Sequence, residues 1–158
     1  MDTLIIFGAK YLYLVIALAA IVYFWRQPKE LRFKIILCAV IAMPLIYIAA
    51  KIIGNFYYNP RPFVVGEFIP LLPHSADNGF PSDHTLLSAA FAATTFFFYR
   101  KLGFLLFILA FLVGAARIWA GIHHFIDIWG SIAIAFITTY IVFEYVLPQV
   151  YRERKIRN

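Results

Sequence analysis

The sequence predicts an all-α fold, a polytopic membrane bundle of about five transmembrane helices with its N-terminus outside and its C-terminus cytoplasmic. Three observations carry that expectation. Of 158 residues, 63% are hydrophobic and 14% charged, more apolar surface than one soluble core of this size can hide. Five apolar runs come close to spanning length. Basic residues gather in alternate connections between those runs, the pattern that a bilayer imposes.

A spanning helix needs roughly 20 mostly apolar residues. The runs are 4–25, 32–50, 82–99, 102–120 and 125–147. The first contains Lys10, near enough to one end to snorkel toward the headgroups, and Glu144 in the last run is also an interfacial anchor. The third is short unless it starts at Ser82. Pro148 is a stop signal for the fifth. The stretch 63–73 is apolar but broken by prolines, so it either lies at the interface or packs over the bundle. No linker or repeat divides the chain, which makes 1–158 one membrane-embedded domain. Cys38, the single cysteine, is a small packing residue inside an apolar run.

Charge then orients the bundle. Arg26, Lys29, Arg32 and Lys34 fall between runs one and two, Arg100 and Lys101 between three and four, and Arg152, Arg154, Lys155 and Arg157 after run five. With alternating spans these share one side, which the positive-inside rule makes cytoplasmic. The net charge of +6 is thereby a matter of topology, and no nucleic-acid partner is expected. The bilayer is the partner.

Topology does not explain the charge at the other, external ends. Lys51, Arg61, Arg117, Asp83, Asp127, His84, His123 and His124 collect there. Arginine offers paired planar donors to phosphate oxygens, and lysine adds a point charge. The start of the third run would present free N–H groups to an anion, with Ser82 capping the helix or donating to phosphate. His123 and Asp127 are four apart, one face of a helix, so the carboxylate can hold one imidazole nitrogen and leave the other as nucleophile. His84 is the available proton donor for a leaving group. Such a site neutralises charge through its cations, and no cluster has metal-ligand spacing, so neither metal nor cofactor is expected. His124 is read as a packing residue.

At these residues the chain resembles the type 2 phosphatidic acid phosphatase superfamily. Its three motifs appear in order as Lys51…Arg61-Pro62, Pro81-Ser82-Asp83-His84 and Arg117-x5-His123-x3-Asp127. The resemblance implies a lipid phosphatase with His123 as nucleophile, Asp127 as its partner and His84 as general acid. It also implies that Lys51, Arg61, Ser82 and Arg117 bind phosphate. Nine residues separate Lys51 from Arg61 where the family commonly has six, Ala116 replaces a serine, and Asp83 replaces a glycine. Asp83 is expected to turn toward the backbone or an arginine. The Phe80-Pro81-Ser82-Asp83-His84 variant is similar to the bacitracin-resistance branch of undecaprenyl pyrophosphate phosphatases. That branch implies removal of the terminal phosphate from a polyprenyl diphosphate at the external face of the cell membrane. Phosphatidic acid or phosphatidylglycerol phosphate as substrate, or transfer to another lipid, keeps the same site. A small channel or transporter is the alternative from another class. His74 and Asp77 either assist a second phosphate or form an ordinary polar turn.

Overall fold

The computed structural model describes residues 1–150. Its helices are α1 (Asp2–Trp25), α2 (Lys29–Phe56), the one-turn α3 (Pro62–Val65), α4 (Asp83–Phe98), α5 (Arg100–Trp119) and α6 (Phe125–Ile141), continued by a π-helical turn at Val142–Val146. No strand occurs among the described residues, only an isolated bridge between Pro60 and Asn78. The basic tail Arg152, Arg154, Lys155 and Arg157 lies outside the described residues.

Small side chains decide which helix occupies the centre. In α4 the buried positions include Ser88, Ala89, Ala90, Ala92 and Ala93, which let neighbouring backbones come close. Accordingly α4 packs against α5, α6, α1 and α2. Gly103 shows how tight this is: a Cβ there would run into the backbone of Phe96 across the α4–α5 turn. By contrast, α1 buries only Ala9 and Ile16 and turns the rest of its apolar surface outward. Exposed Leu4, Leu18, Ile36, Val40 and Phe104 would be an aggregation surface in water, but suit hydrocarbon.

Among the described residues four helices are long and apolar enough to cross a membrane: α1, α2, α5 and the continuous stretch Phe125–Val150. The fifth expected run is shorter. With 16 residues, α4 rises about 24 Å, less than the roughly 30 Å of a bilayer core. Its helix starts at Asp83, not Ser82. Two further boundaries differ from expectation. The α2 helix runs on past residue 50 to Phe56, so Lys51 sits within the helix. Pro148 does not stop the last helix, which continues to Val150. The π-turn just ahead of it, closed by the Leu147 N–H on the Val142 carbonyl, shifts the hydrogen-bond ladder where proline lacks a donor.

Tyr23 of α1 stacks on Tyr99 at 5.7 Å, so the connections carrying Arg26 and Arg100 lie at one end of the bundle. The long 57–82 connection and the α5–α6 turn form the other end. There the apolar stretch after α3 packs over the bundle: Leu72 is buried with Ala9, Ala116 and Ala120, and the Leu71 N–H bonds to the Ala120 carbonyl at 3.0 Å.

Gly103→Val should destabilise the α4–α5 hairpin by about 1–3 kcal/mol or more, the usual cost of overpacking. The check is the thermal midpoint of the detergent-purified protein, with Gly103→Ala expected to fall between the two.

Candidate active site

The site grows from the first turn of α6. His124 occupies the N-cap in extended backbone and Asp127 is the third helical residue. A carboxylate there meets free N–H groups and the positive end of the helix dipole. The Asp127 side chain, fully buried, accepts from the His124 N–H at 2.8 Å and lies 3.2 Å from His123 Nδ1. Its other oxygen accepts from Asn59 Nδ2 at 2.7 Å. His123 therefore lies outside α6, one residue before the cap, and its ring meets the carboxylate that caps the helix through the His124 N–H. The expected helical face, with both residues one turn apart, is not what joins them.

Because Nδ1 carries the proton toward Asp127, Nε2 keeps its lone pair. That lone pair points between two guanidiniums, 3.4 Å from Arg61 Nη1 and 3.3 Å from Arg117 Nη2. His123 is 2% exposed. Burial holds its pKa below the ordinary imidazole value; the Asp127 hydrogen bond opposes this, while Arg117 and Arg61 reinforce it. The lowered pKa favours the neutral imidazole.

The two arginines are compensated differently. Arg61 donates from Nε to Asp77 at 2.8 Å and from Nη1 to the Ile122 carbonyl at 2.9 Å. Arg117, 4% exposed, has only neutral partners: the Ala9 carbonyl at 3.2 Å, His74 Nε2 at 3.3 Å and His123. Its Nε has no hydrogen-bond partner. Asp83 acts on Arg117 only at coulombic range, and a buried guanidinium with no hydrogen-bonded carboxylate among the described residues is costly unless an anion joins it.

Loop residues that sequence reasoning missed hold this arrangement. Asn78 uses its full side-chain capacity, accepting from the N–H groups of Asn59 (2.9 Å) and Phe80 (3.0 Å) while donating to the carbonyls of Gly54 (2.8 Å) and Tyr57 (3.0 Å). It thereby satisfies carbonyls at the end of α2 and sets Asn59 against Asp127. The adjacent Asn78-Gly79 pair is the one local signal available, a turn dipeptide, and it says nothing of these distant partners.

The remaining expected residues divide. Ser82 is buried, but its Oγ lies 3.1 Å from Thr85 Oγ1 and makes no capping bond. The Ser82 N–H approaches the Asp127 carbonyl at 3.4 Å, and Ser131 Oγ is 2.6 Å from that carbonyl and 3.1 Å from the Ser82 carbonyl, locking the start of α4 onto α6. His84 does not touch the cluster directly. Its ring meets Tyr13 edge-on at 4.9 Å, within coulombic reach of Arg117 and His123. His124, expected to be a packing residue, lies with Nε2 3.1 Å from the Pro60 carbonyl. Lys51 stands over the Tyr47 ring at 5.3 Å and shares with Arg61 and Asp77 a cavity of about 430 Å³. Asp83 is exposed and lines the same cavity. Lys51 and Asp83 also head an apolar crevice of about 300 Å³ between α2 and α4, lined by Met43, Ile46, Leu86 and Ala90. Met43 leads on to a further apolar pocket beside Phe24 and Phe91. Among the described residues no three His, Cys, Asp or Glu groups converge as a metal site.

Comparison with known proteins gives a consistent family. Residues 33–151 match the model of the PAP2 superfamily. The chain is 34% identical over 144 residues to a protein of Bacillus licheniformis named bacitracin transport permease protein BcrC, covering 90% of this chain and 70% of the relative. It is 42% identical over 89 residues to undecaprenyl-diphosphatase BcrC of Bacillus subtilis (strain 168), covering 56% of this chain and 46% of that one. It is 31% identical over 133 residues to putative undecaprenyl-diphosphatase YbjG of Escherichia coli (strain K12), covering 84% and 67%. The crystal structure of Aquifex aeolicus LpxE shares the fold, with a TM-score of 0.66 at 24% identity over 92% of this chain and 88% of that one.

Asn59→Ala should remove one charge-assisted hydrogen bond from Asp127, worth about 1.5 kcal/mol or on the order of tenfold in kcat/KM. Steady-state kinetics on the folded variant test this, and an unchanged kcat/KM would show that Asn59 does not tune the His123–Asp127 pair.

Proposed function

The chain belongs to the PAP2 superfamily, and from that premise we propose that it hydrolyses undecaprenyl diphosphate to the lipid monophosphate and inorganic phosphate. The reaction proceeds through a phosphohistidine on His123, without a metal, at the external face of the membrane. The observation that carries this is the buried cation pair around an unprotonated Nε2: no carboxylate is hydrogen-bonded to Arg117, and the His123 lone pair lies between two guanidiniums whose donors a phosphoryl group would compete for.

The steps follow from that arrangement. A terminal phosphoryl group takes over the Arg61 and Arg117 donors now spent on Nε2. The Nε2 lone pair attacks phosphorus while the bond to the bridging oxygen breaks, and His84 gives its proton to the departing lipid monophosphate. Arg61 and Arg117 neutralise charge on the equatorial oxygens. Asp127 holds the Nδ1 proton and stabilises the ring as it becomes positive. Water then attacks the phosphohistidine, His84 takes back a proton, and the P–N bond breaks to restore Nε2. Lys51 lies at the junction of cavity and crevice, suited to the inner phosphate of a diphosphate, with the hydrocarbon chain running along Met43 and Leu86.

What supports the external face is charge: Arg26, Lys29, Arg32, Lys34, Arg100 and Lys101 occupy the end opposite the site. What supports a polyprenyl diphosphate is that two relatives are named for it. One relative is named a transport permease. A conduction path would need polar groups through the depth of the bundle, yet the buried ionisable side chains Arg61, Arg117, His123 and Asp127 all gather at one end.

His123→Ala should lower turnover by at least about a thousandfold with folding intact, as loss of a covalent nucleophile does. Acid-labile, base-stable label from terminally labelled substrate should be trapped on wild type only. Phosphate release from undecaprenyl diphosphate should exceed that from phosphatidic acid and phosphatidylglycerol phosphate, and survive chelation. Faster turnover of phosphatidic acid would replace the substrate, while loss on chelation with recovery on adding a divalent ion would replace the mechanism.

The pH profile has a defined sign. Nucleophilic His123 is the neutral form, present above its pKa, and burial sets that pKa low. The acid limb of kcat/KM should therefore fall below the ordinary imidazole range, about 6.5. An acid limb centred above pH 7 would mean that another group controls it.

A further inference from the structure

Resting on the phosphatase assignment above, we propose that His74 is a ligand of the bound phosphoryl group, supplied by the connecting loop and lying outside the three motifs. One nitrogen, Arg117 Nη2, stands 3.3 Å from His74 Nε2 and 3.3 Å from His123 Nε2. The two rings are 6.2 Å apart, nearly perpendicular. Two imidazole lone pairs thus converge on one guanidinium to which no carboxylate is hydrogen-bonded. A phosphoryl oxygen that takes this guanidinium from His123 takes it from His74 as well, and leaves the His74 nitrogen facing an anion.

His74 is fixed there. The Leu71 N–H on the Ala120 carbonyl and buried Leu72 pin its loop to the end of α5, three residues beyond Arg117. On its other side, Asp77 holds Arg61 and accepts from Ser75 Oγ at 2.8 Å. One short segment, 74–77, therefore touches both phosphate-binding arginines. The ordinary polar turn that the sequence allowed accounts for Ser75 and Asp77. It does not account for an imidazole aimed at Arg117.

The groups that face His74 are Arg117, Arg61, Asp77, His123 and, at longer range, His84. Burial, then Arg61 and Arg117, hold its pKa below the ordinary value, so it is neutral in the empty site; Asp77 opposes them weakly. A phosphoryl dianion reverses that balance. His74 then gains a proton from solvent, to which its ring is exposed, and becomes a third donor on the equatorial oxygens. The site would take up a proton as it takes up phosphate, without a permanent third cation against Arg61 and Arg117.

The test is orthovanadate inhibition and steady-state kinetics with undecaprenyl diphosphate across pH 5–9, on detergent-purified wild type, His74→Ala and His74→Gln. In wild type, vanadate affinity should fall as pH rises through the ligand-bound pKa of His74. In His74→Ala, vanadate inhibition should weaken about tenfold at low pH, KM should rise, and that pH dependence should flatten, while phosphohistidine still forms. In His74→Gln, a neutral donor should restore part of the affinity but not its pH dependence; this variant also carries the test if alanine impairs folding. Vanadate affinity and KM within twofold of wild type in both variants would overturn the proposal. A fall in kcat alone, with vanadate affinity unchanged, would do the same by reducing His74 to loop packing. If wild type itself neither binds vanadate nor depends on His123, the underlying phosphatase assignment fails instead.

Discussion

A single carboxylate holds the site together. Asp127 is fully buried, and moving such a charge out of water costs several kcal/mol unless donors surround it. It meets three: the backbone N–H of His124, the ring of His123 and the amide of Asn59. These come from the cap of α6, the turn before it and the connection after α2, so satisfying one charge fixes three segments. Its backbone carbonyl gathers a fourth, the start of α4, through the Ser82 N–H, and Ser131 Oγ of α6 bonds both that carbonyl and the Ser82 carbonyl. The imidazole is one spoke of this hub, which explains why its free nitrogen is aimed so specifically between Arg61 and Arg117.

Much of this was legible in the sequence, for identifiable reasons. Charges stranded at the ends of apolar runs stand out against a composition that leaves them no bland role, so Arg61, Arg117, His123 and Asp127 could be grouped before any coordinates. What failed was local geometry. The interval from His123 to Asp127 looks helical in a string of letters, but the chain uses it for a cap. Ser82 looks like a capping residue, yet its hydroxyl turns to Thr85. Pro148 looks like a stop, but the π-turn absorbs it. Asn59 and Asn78 escaped because their partners lie far along the chain, and hydrogen bonds between loops leave no period to count.

The least buried of the long helices, α1, has a larger part in the site than its packing suggests. The family match begins at residue 33 and leaves out α1. Yet the Ala9 carbonyl receives Arg117 and the Tyr13 ring rests on His84. A mid-helix carbonyl retains a second lone pair after its own helical bond, but reaching it requires two helices to come unusually close. Gly8 permits that, since a Cβ there would sit 2.9 Å from Ala116 Cβ. Thus α1 contributes little to the core and much to placing one guanidinium and one imidazole. Its orientation is held by small residues on α5, while its outer face is left to lipid.

Selectivity among lipid phosphates must then arise mainly at the headgroup. The α2–α4 crevice is lined by Met43, Ile46, Leu86 and Ala90, side chains that read apolar area and not chemical identity. A hydrocarbon chain of almost any kind gains free energy there in proportion to what it covers, and much of that gain is already available in the bilayer. The polar cavity above discriminates more sharply, because Arg61, Asp77, Lys51 and Asp83 leave charges whose satisfaction depends on the number and spacing of phosphoryl groups. Lys51 and Asp83 place opposite charges at the junction of the two compartments, so the charge that a headgroup brings there alters their balance. Asp83, at the first residue of α4, borders both the polar and the apolar compartments and lies within coulombic reach of Arg117, in keeping with the expectation that it would turn toward an arginine.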